Sequence, residues 1–135
     1  MSSPSFVSGQ ELPEQIFFVN RENLRDYATA SGDHNPIHLD EEFAQSVGLP
    51  NVIAHGMYTM ALAGEAIHRW MGPTGAIVEF STRFTKPVVV PAERGTNIVF
   101  SGRIVEVLNA ELTLELSAVC SGVKVLGQTK ARIRW

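Results

Sequence analysis

A single cysteine, Cys120, excludes a disulfide framework or a cysteine-rich zinc cluster within one chain, and its strand-like surroundings over 114–125 read as a buried, inert thiol suited to a reducing compartment. Cationic excess is missing too. Eleven Lys and Arg stand against 14 Asp and Glu, a formal net charge of −3, which argues against a nucleic-acid surface. No segment approaches the roughly 20 apolar residues of a membrane span. Residues 1–10 have neither the basic flank nor the apolar stretch of a signal peptide, so a soluble cytoplasmic protein is expected. Charge runs, internal repeats and low-complexity tracts are also lacking. What remains is 135 residues at 44% hydrophobic, enough for one domain over 1–135 with a sizeable core and too little for two.

Residues 15–19 are aromatic and β-branched, predicting a strand that runs into a short helix, capped by Asn20, whose Leu24, Tyr27 and Ala28 share a face. Asp40 caps a second short helix over 41–46, with Gly48 just past its end. Met57, Met60, Ala61, Gly64, Ile67, His68 and Met71 recur at helical spacing and predict one long, largely apolar core helix over 56–70. Gly64 in its middle costs roughly 1 kcal/mol relative to Ala, which points to a backbone or a substrate passing close to that turn. Met57, Met60, Met71 and Trp70 read as core. Beyond Gly75 the period changes to two, giving strands over 77–84, 96–107, 112–121 and 123–134, with turn residues at Pro87 and Pro91, Asn109-Ala110 and Ser121-Gly122. The expected class is α+β, a five-stranded antiparallel sheet wrapped around one long central helix.

Chemistry concentrates in one phrase. Ser31-Gly32-Asp33-His34-Asn35-Pro36-Ile37-His38 packs a carboxylate, a carboxamide and an imidazole into one short loop, and sixteen residues after His38 comes Ala54-His55-Gly56-Met57. A Gly-Asp turn followed by Asn-Pro, which cannot continue a helix, holds Asp33 and His38 at short separation on a rigid, non-helical backbone. A carboxylate and an imidazole so placed can share one water, their ordinary pKa values of about 4 and about 6.5 being tunable so that one accepts and one donates near neutrality. The N-terminus of the long helix offers free N–H groups and the positive end of its dipole, and Gly56 lets a carbonyl approach the backbone closely. Duller readings stand beside these: an Asx turn for Asp33, a hydrogen-bonded loop residue for His38, and capping or wall-shaping for His55. Asp33, His34, His38 and His55 fit a metal by ligand type. Adjacent ligands in a Pro-containing loop chelate poorly, and no metal is expected.

Tyr27-Ala28-x-x-Ser31-Gly32-Asp33-x-Asn35-Pro36-Ile37-His38 resembles the hydratase-2 motif of the MaoC-like dehydratases. The resemblance extends through Ile53-Ala54-His55-Gly56-Met57 and Arg83-Phe84-Thr85-Lys86-Pro87-Val88, so it covers most of the chain. Within that family the chain is most similar in look to the catalytic small subunit of the actinobacterial (3R)-hydroxyacyl-carrier-protein dehydratases. The resemblance implies a hot-dog fold and an (R)-specific hydro-lyase of fatty acid metabolism. Such an enzyme interconverts 2-enoyl and (3R)-hydroxyacyl thioesters without metal or redox cofactor, with CoA or phosphopantetheine entering only as part of the substrate. Carried over by position, the catalytic pair falls on Asp33 and His38, the backbone N–H facing the thioester oxygen on Gly56, and supporting or substrate-facing roles on Asn35, His55 and Met57.

The resemblance also implies a dimer, either a homodimer or a heterodimer with a second hot-dog subunit, with the acyl tunnel at the interface. Arg83, Lys86, Arg94, Arg132 and Arg134 are the cations available to coenzyme A phosphates or to an acyl carrier protein. Pro91-Ala92-Glu93-Arg94-Gly95 departs from the Pro-Gly-Asp turn of many relatives and is expected to alter the loop at the cofactor mouth. A hot-dog thioesterase and a noncatalytic acyl-binding subunit are the competing expectations.

Overall fold

Every second residue from Leu112 to Cys120 is buried, the period of a strand with one face on the core. That segment is the centre of the sheet in the computed structural model, which describes residues 5–135; residues 1–4 of the domain expected over 1–135 lie outside the described residues. In chain order the elements are β1 (Glu11–Val19), α1 (Arg21–Ser31), a 3₁₀ turn (Pro36–His38), α2 (Glu41–Ser46), α3 (Gly56–Met71), β2 (Ala76–Phe84), β3 (Thr96–Leu108), β4 (Glu111–Cys120) and β5 (Val123–Arg134). The sheet order is β1-β3-β4-β5-β2, with every neighbouring pair antiparallel. Register shifts in each pairing, together with the positive φ of Gln128 within β5, mark bulges that bend the sheet. The expected α+β architecture is what forms.

The core lies between the sheet and α3. Ile98, Phe100 and Ile104 of β3, Leu114 of β4 and Ile133 of β5 are fully buried, together with Ala63, Ala66 and Ile67 of α3. Two long-range hydrogen bonds hold the helix to β1: the Gln15 amide donates to the Ala66 carbonyl at 2.8 Å, and the Trp70 indole donates to the Pro13 carbonyl at 2.7 Å.

Several expectations change in detail. β1 begins at Glu11 rather than at residue 15, because Pro13 is tolerated on a strand that lies at the sheet edge. The buried face of α3 is Thr59, Ala63, Ala66, Ile67 and Met71, so Ala61 and His68 of the expected stripe face solvent and Met57 is 57% exposed. Met57 is therefore not core, while Met60 and Trp70 are half-buried. The small Ala63 and Ala66 let the helix seat closely against the sheet, and the longer methionines are left on its flank. No backbone crowds Gly64, since a Cβ there would meet only the Phe80 ring, at 3.8 Å.

The 91–95 loop packs on the end of β1. Gly95, at φ 60, is so close that a Cβ would stand 2.6 Å from the Val19 carbonyl oxygen. Cys120 is a buried free thiol 3.1 Å from the Thr96 hydroxyl. No described helix is long and apolar enough to cross a membrane.

Candidate active site

Local chemistry shapes the loop that carries the first two site residues. Gly32, in the left-handed region at φ 80, closes α1 by donating its N–H to the Ala28 carbonyl. Asp33 then accepts the Asn35 N–H on one carboxylate oxygen at 3.2 Å, and Asn35 in turn accepts the Ile37 N–H at 3.1 Å. With Asn35 capping and Pro36 setting φ at the first position, residues Pro36–His38 form one 3₁₀ turn, where a non-helical backbone was expected. Asn35 thus fixes the loop. Asp33 makes the Asx turn of its duller reading and still keeps its second carboxylate oxygen free on an exposed side chain.

His38 is buried, and its Nδ1–H donates to the Ile53 carbonyl at 2.7 Å. A carbonyl only accepts, so the proton of the neutral ring sits on Nδ1 and the lone pair is on Nε2. Burial pushes the His38 pKa below its ordinary value of 6.5; the Ile53 carbonyl and the Asp33 charge oppose the shift, and the His55 ring adds to it. His55 is 2% exposed and donates Nε2–H to the Asp33 backbone carbonyl at 3.0 Å. Its ring stacks on His38, with 3.8 Å between centroids and 24° between planes, and takes the edge of Tyr27 at 4.8 Å. Its Nδ1 is buried without a partner among the described residues.

Asp33, His38 and His55 therefore converge, their ligand-type atoms all lying within 4.8 Å of one another. The stacked rings do not suit a shared metal ion. Imidazole lone pairs lie in the ring plane, and two near-parallel rings 3.8 Å apart send them side by side rather than to one point about 2 Å away. His34 and His68 are exposed and stand outside the cluster.

His55 makes no side-chain cap on α3, which leaves the first-turn N–H groups of Gly56 and Met57 without a capping side chain. Capping is therefore not its role. Two cavities open beside this helix start. One, of about 370 Å³, is lined by His38, Gly56, Thr59, Lys86, Val125 and Leu126 among others. The second, of about 390 Å³, is lined by Tyr27, Ser31, Asp33, His55 and Met57, together with Gly56 and Phe84. Thr59 and Phe84 received no role from the sequence. The only sequence signal for Thr59 was its place one turn after Gly56 on the same helix.

Of the five candidate cations, only Lys86 lines either cavity. Arg132 bridges Glu111 at 2.7 Å and Glu79 at 3.5 Å, and Arg134 reaches Glu111 at 3.5 Å; Arg132 holds the Glu111 carboxyl below the usual carboxylate range. The 91–95 loop lines neither cavity.

A family model described as MaoC like domain matches residues 8–119. The 3-hydroxyacyl-thioester dehydratase X of Mycobacterium tuberculosis is 40% identical over 83 residues, 62% of this chain and 29% of that protein. Among solved structures, a MaoC-like dehydratase superposes with a TM-score of 0.94 at 37% identity, over 98% of this chain and 42% of its own. An R-hydratase from Pseudomonas aeruginosa superposes with a TM-score of 0.83 at 27% identity, over 96% of this chain and 81% of its own. The fold is thus the hot-dog fold. The chain spans 29% of the length of that curated relative.

Proposed function

The chain belongs to the MaoC-like domain family, and from that premise we propose that it interconverts 2-enoyl and (3R)-hydroxyacyl thioesters by adding and removing water. The observation that carries this reading is the meeting of the Asp33 carboxylate with the His38 ring beside the uncapped start of α3. Hydration needs a water delivered to C3, a proton at C2 and a donor for the enolate-like thioester oxygen. Nε2 of His38, fixed as the lone-pair nitrogen, and the free oxygen of Asp33 accept the two hydrogens of one water. The hydroxyl adds to C3, and the proton it gives up returns from the pair to C2 on the same face. The Gly56 N–H, at the positive end of the α3 dipole, donates to the thioester oxygen as charge builds there.

His55 supports this pair by holding the Asp33 carbonyl and by backing the His38 ring. No metal or redox cofactor is needed in this scheme, because backbone N–H groups polarise the carbonyl. Lys86 suits a phosphate of CoA or of the phosphopantetheine arm of an acyl carrier protein. The reading includes a second hot-dog subunit, identical or not. β2 supports it: the strand lies at the sheet edge with Ile77 and Val78 each 40% exposed, and its outer backbone groups have no partner strand among the described residues. A reducing, cytoplasmic setting suits the single buried thiol.

The test is loss of enoyl absorbance with crotonyl-CoA and with a longer 2-enoyl-CoA, with the stereochemistry of the product determined. Hydration to the (R)-alcohol is expected. Release of free thiol without hydration would replace this reading by hydrolysis, and tight acyl-CoA binding without either reaction would replace it by a noncatalytic acyl-binding role.

A further inference from the structure

The motif segment 83–88 holds one residue that the proposed chemistry does not use. Phe84 ends β2 opposite Leu126 of β5, and its ring lies against the start of α3, where a Cβ placed on Gly56 would meet three ring carbons at 3.2, 3.2 and 3.3 Å. A methyl there would press on the ring, so the Phe84 ring lies directly beside the Gly56 Cα at the helix start. Phe84 is 53% exposed, so within the single chain the described residues leave about half of it uncovered.

Its position is also common to both cavities of the site. His38 opens onto the cavity of about 370 Å³ and Asp33 onto that of about 390 Å³, and the only residues lining both are Gly56 and Phe84. The apolar Val125 and Leu126 line the first cavity, and Tyr27 and Ser31 line the second. A substrate that reaches both Asp33 and His38 at the start of α3 passes beside the Phe84 ring, which lines both cavities there.

We propose that Phe84 is the specificity-determining gate of the site: its ring, which borders both cavities beside Gly56, turns aside when an acyl thioester enters, and by its size limits the acyl group that passes. This deepens the hydratase reading and rests on it. The ring does no chemistry. Its effect falls on how well acyl groups of different length are accepted, while the proton-transfer pair is left intact.

The experiment compares wild type, Phe84→Ala and Phe84→Trp on crotonyl-CoA and on 2-dodecenoyl-CoA. Calorimetric binding of saturated butyryl-CoA and dodecanoyl-CoA is measured in parallel. For Phe84→Ala the ratio of kcat/KM for the long over the short substrate rises about tenfold, mainly through KM, as expected for a few methylenes gaining room in an apolar passage. The acid limb of the pH profile stays in place. Phe84→Trp moves the ratio the other way, which separates gating from simple damage to the fold. If wild type hydrates neither substrate, the hydratase reading fails by itself, and the gate is judged on the same ratio in acyl-CoA affinity. Ratios within about twofold of wild type in both variants, or no acyl-CoA binding at all, overturn the gate.

Discussion

His38 and His55 stack face to face, 3.8 Å between ring centroids, and this pairing adds to a pH dependence that burial of His38 sets. Burial first, then the neighbouring imidazole, lowers the His38 pKa from 6.5, and the Ile53 carbonyl and Asp33 only partly offset this. The neutral, base-competent ring therefore persists to lower pH than an ordinary histidine would allow. The acid limb of kcat/KM is expected below pH 6.5, and His55→Asn, which removes the second ring, moves it upward. Stability follows the same sign: the unfolded chain takes up the proton first, so folding stability falls as pH drops from about 6.5 through the lowered folded value. A wild-type limb at or above 6.5 would contradict the assignment of His38 as the base.

Asp33→Asn separates chemistry from loop geometry. Asparagine accepts the Asn35 N–H as well as aspartate does, so the Asx turn and the 3₁₀ turn after it survive. Turnover is expected to fall by about 10²-fold or more, as for loss of one acid-base group, with the melting temperature nearly unchanged because the side chain is exposed. Steady-state kinetics and a thermal scan on the same preparation check both halves. Full activity in the variant would leave Asp33 as a loop residue only.

The loop that carries Asp33 and His38 was legible in the sequence because its structure is local: Gly32, Asp33, Asn35 and Pro36 each act on a backbone group within a few residues. The strands β3, β4 and β5 were legible for a similar reason, since period-two burial runs all along β4, from Ile98 to Phe100 in β3 and from Thr129 to Ile133 in β5. Sheet order was not, because β1 pairs with β3 and β2 with β5 across long separations that no local pattern encodes. The turned face of α3 was missed because Ala63 and Ala66, which seat the helix, carry a weaker apolar signal than the methionines beside them. The contacts that complete the site were hidden for the same reason as the sheet order. His55 meets His38 and Asp33, and Phe84 meets Gly56, across sequence separations of 17 to 28 residues.

Gly95→Ala is expected to destabilise the fold without touching the site. The residue sits at φ 60, is buried, and its new Cβ would stand 2.6 Å from the Val19 carbonyl oxygen. The left-handed conformation and the overlap together are expected to cost about 2 kcal/mol or more. For a domain of this size each kcal/mol lowers the melting temperature by roughly 4 °C. Denaturant unfolding gives the loss, and kcat of the folded fraction should match wild type. Ala at Gly122, where nothing lies within 4 Å of the new Cβ, costs less, since only backbone strain is added.

Gly56→Ala alone confounds two effects, because the added methyl both presses on the Phe84 ring and blocks the approach of a thioester oxygen to the helix start. The ring contact is a matter of packing: at 3.2 Å the half-exposed Phe84 has to give by a few tenths of an ångström, and a loss of about 1 kcal/mol is expected. Removing the ring removes that term. In a Phe84→Ala background the new methyl has room, so the stability loss should disappear, and a double-mutant cycle in urea unfolding reads the coupling directly. The catalytic term behaves differently if the Gly56 N–H is the donor to the developing oxyanion, because the methyl still stands between substrate and backbone whichever residue occupies position 84. A fall in kcat/KM of about 10²-fold is then expected in both backgrounds, the size of a lost oxyanion donor. Recovery of activity along with stability in the double variant would mean that Gly56 serves only to seat Phe84, and the oxyanion role would have to move to another N–H of the first turn of α3.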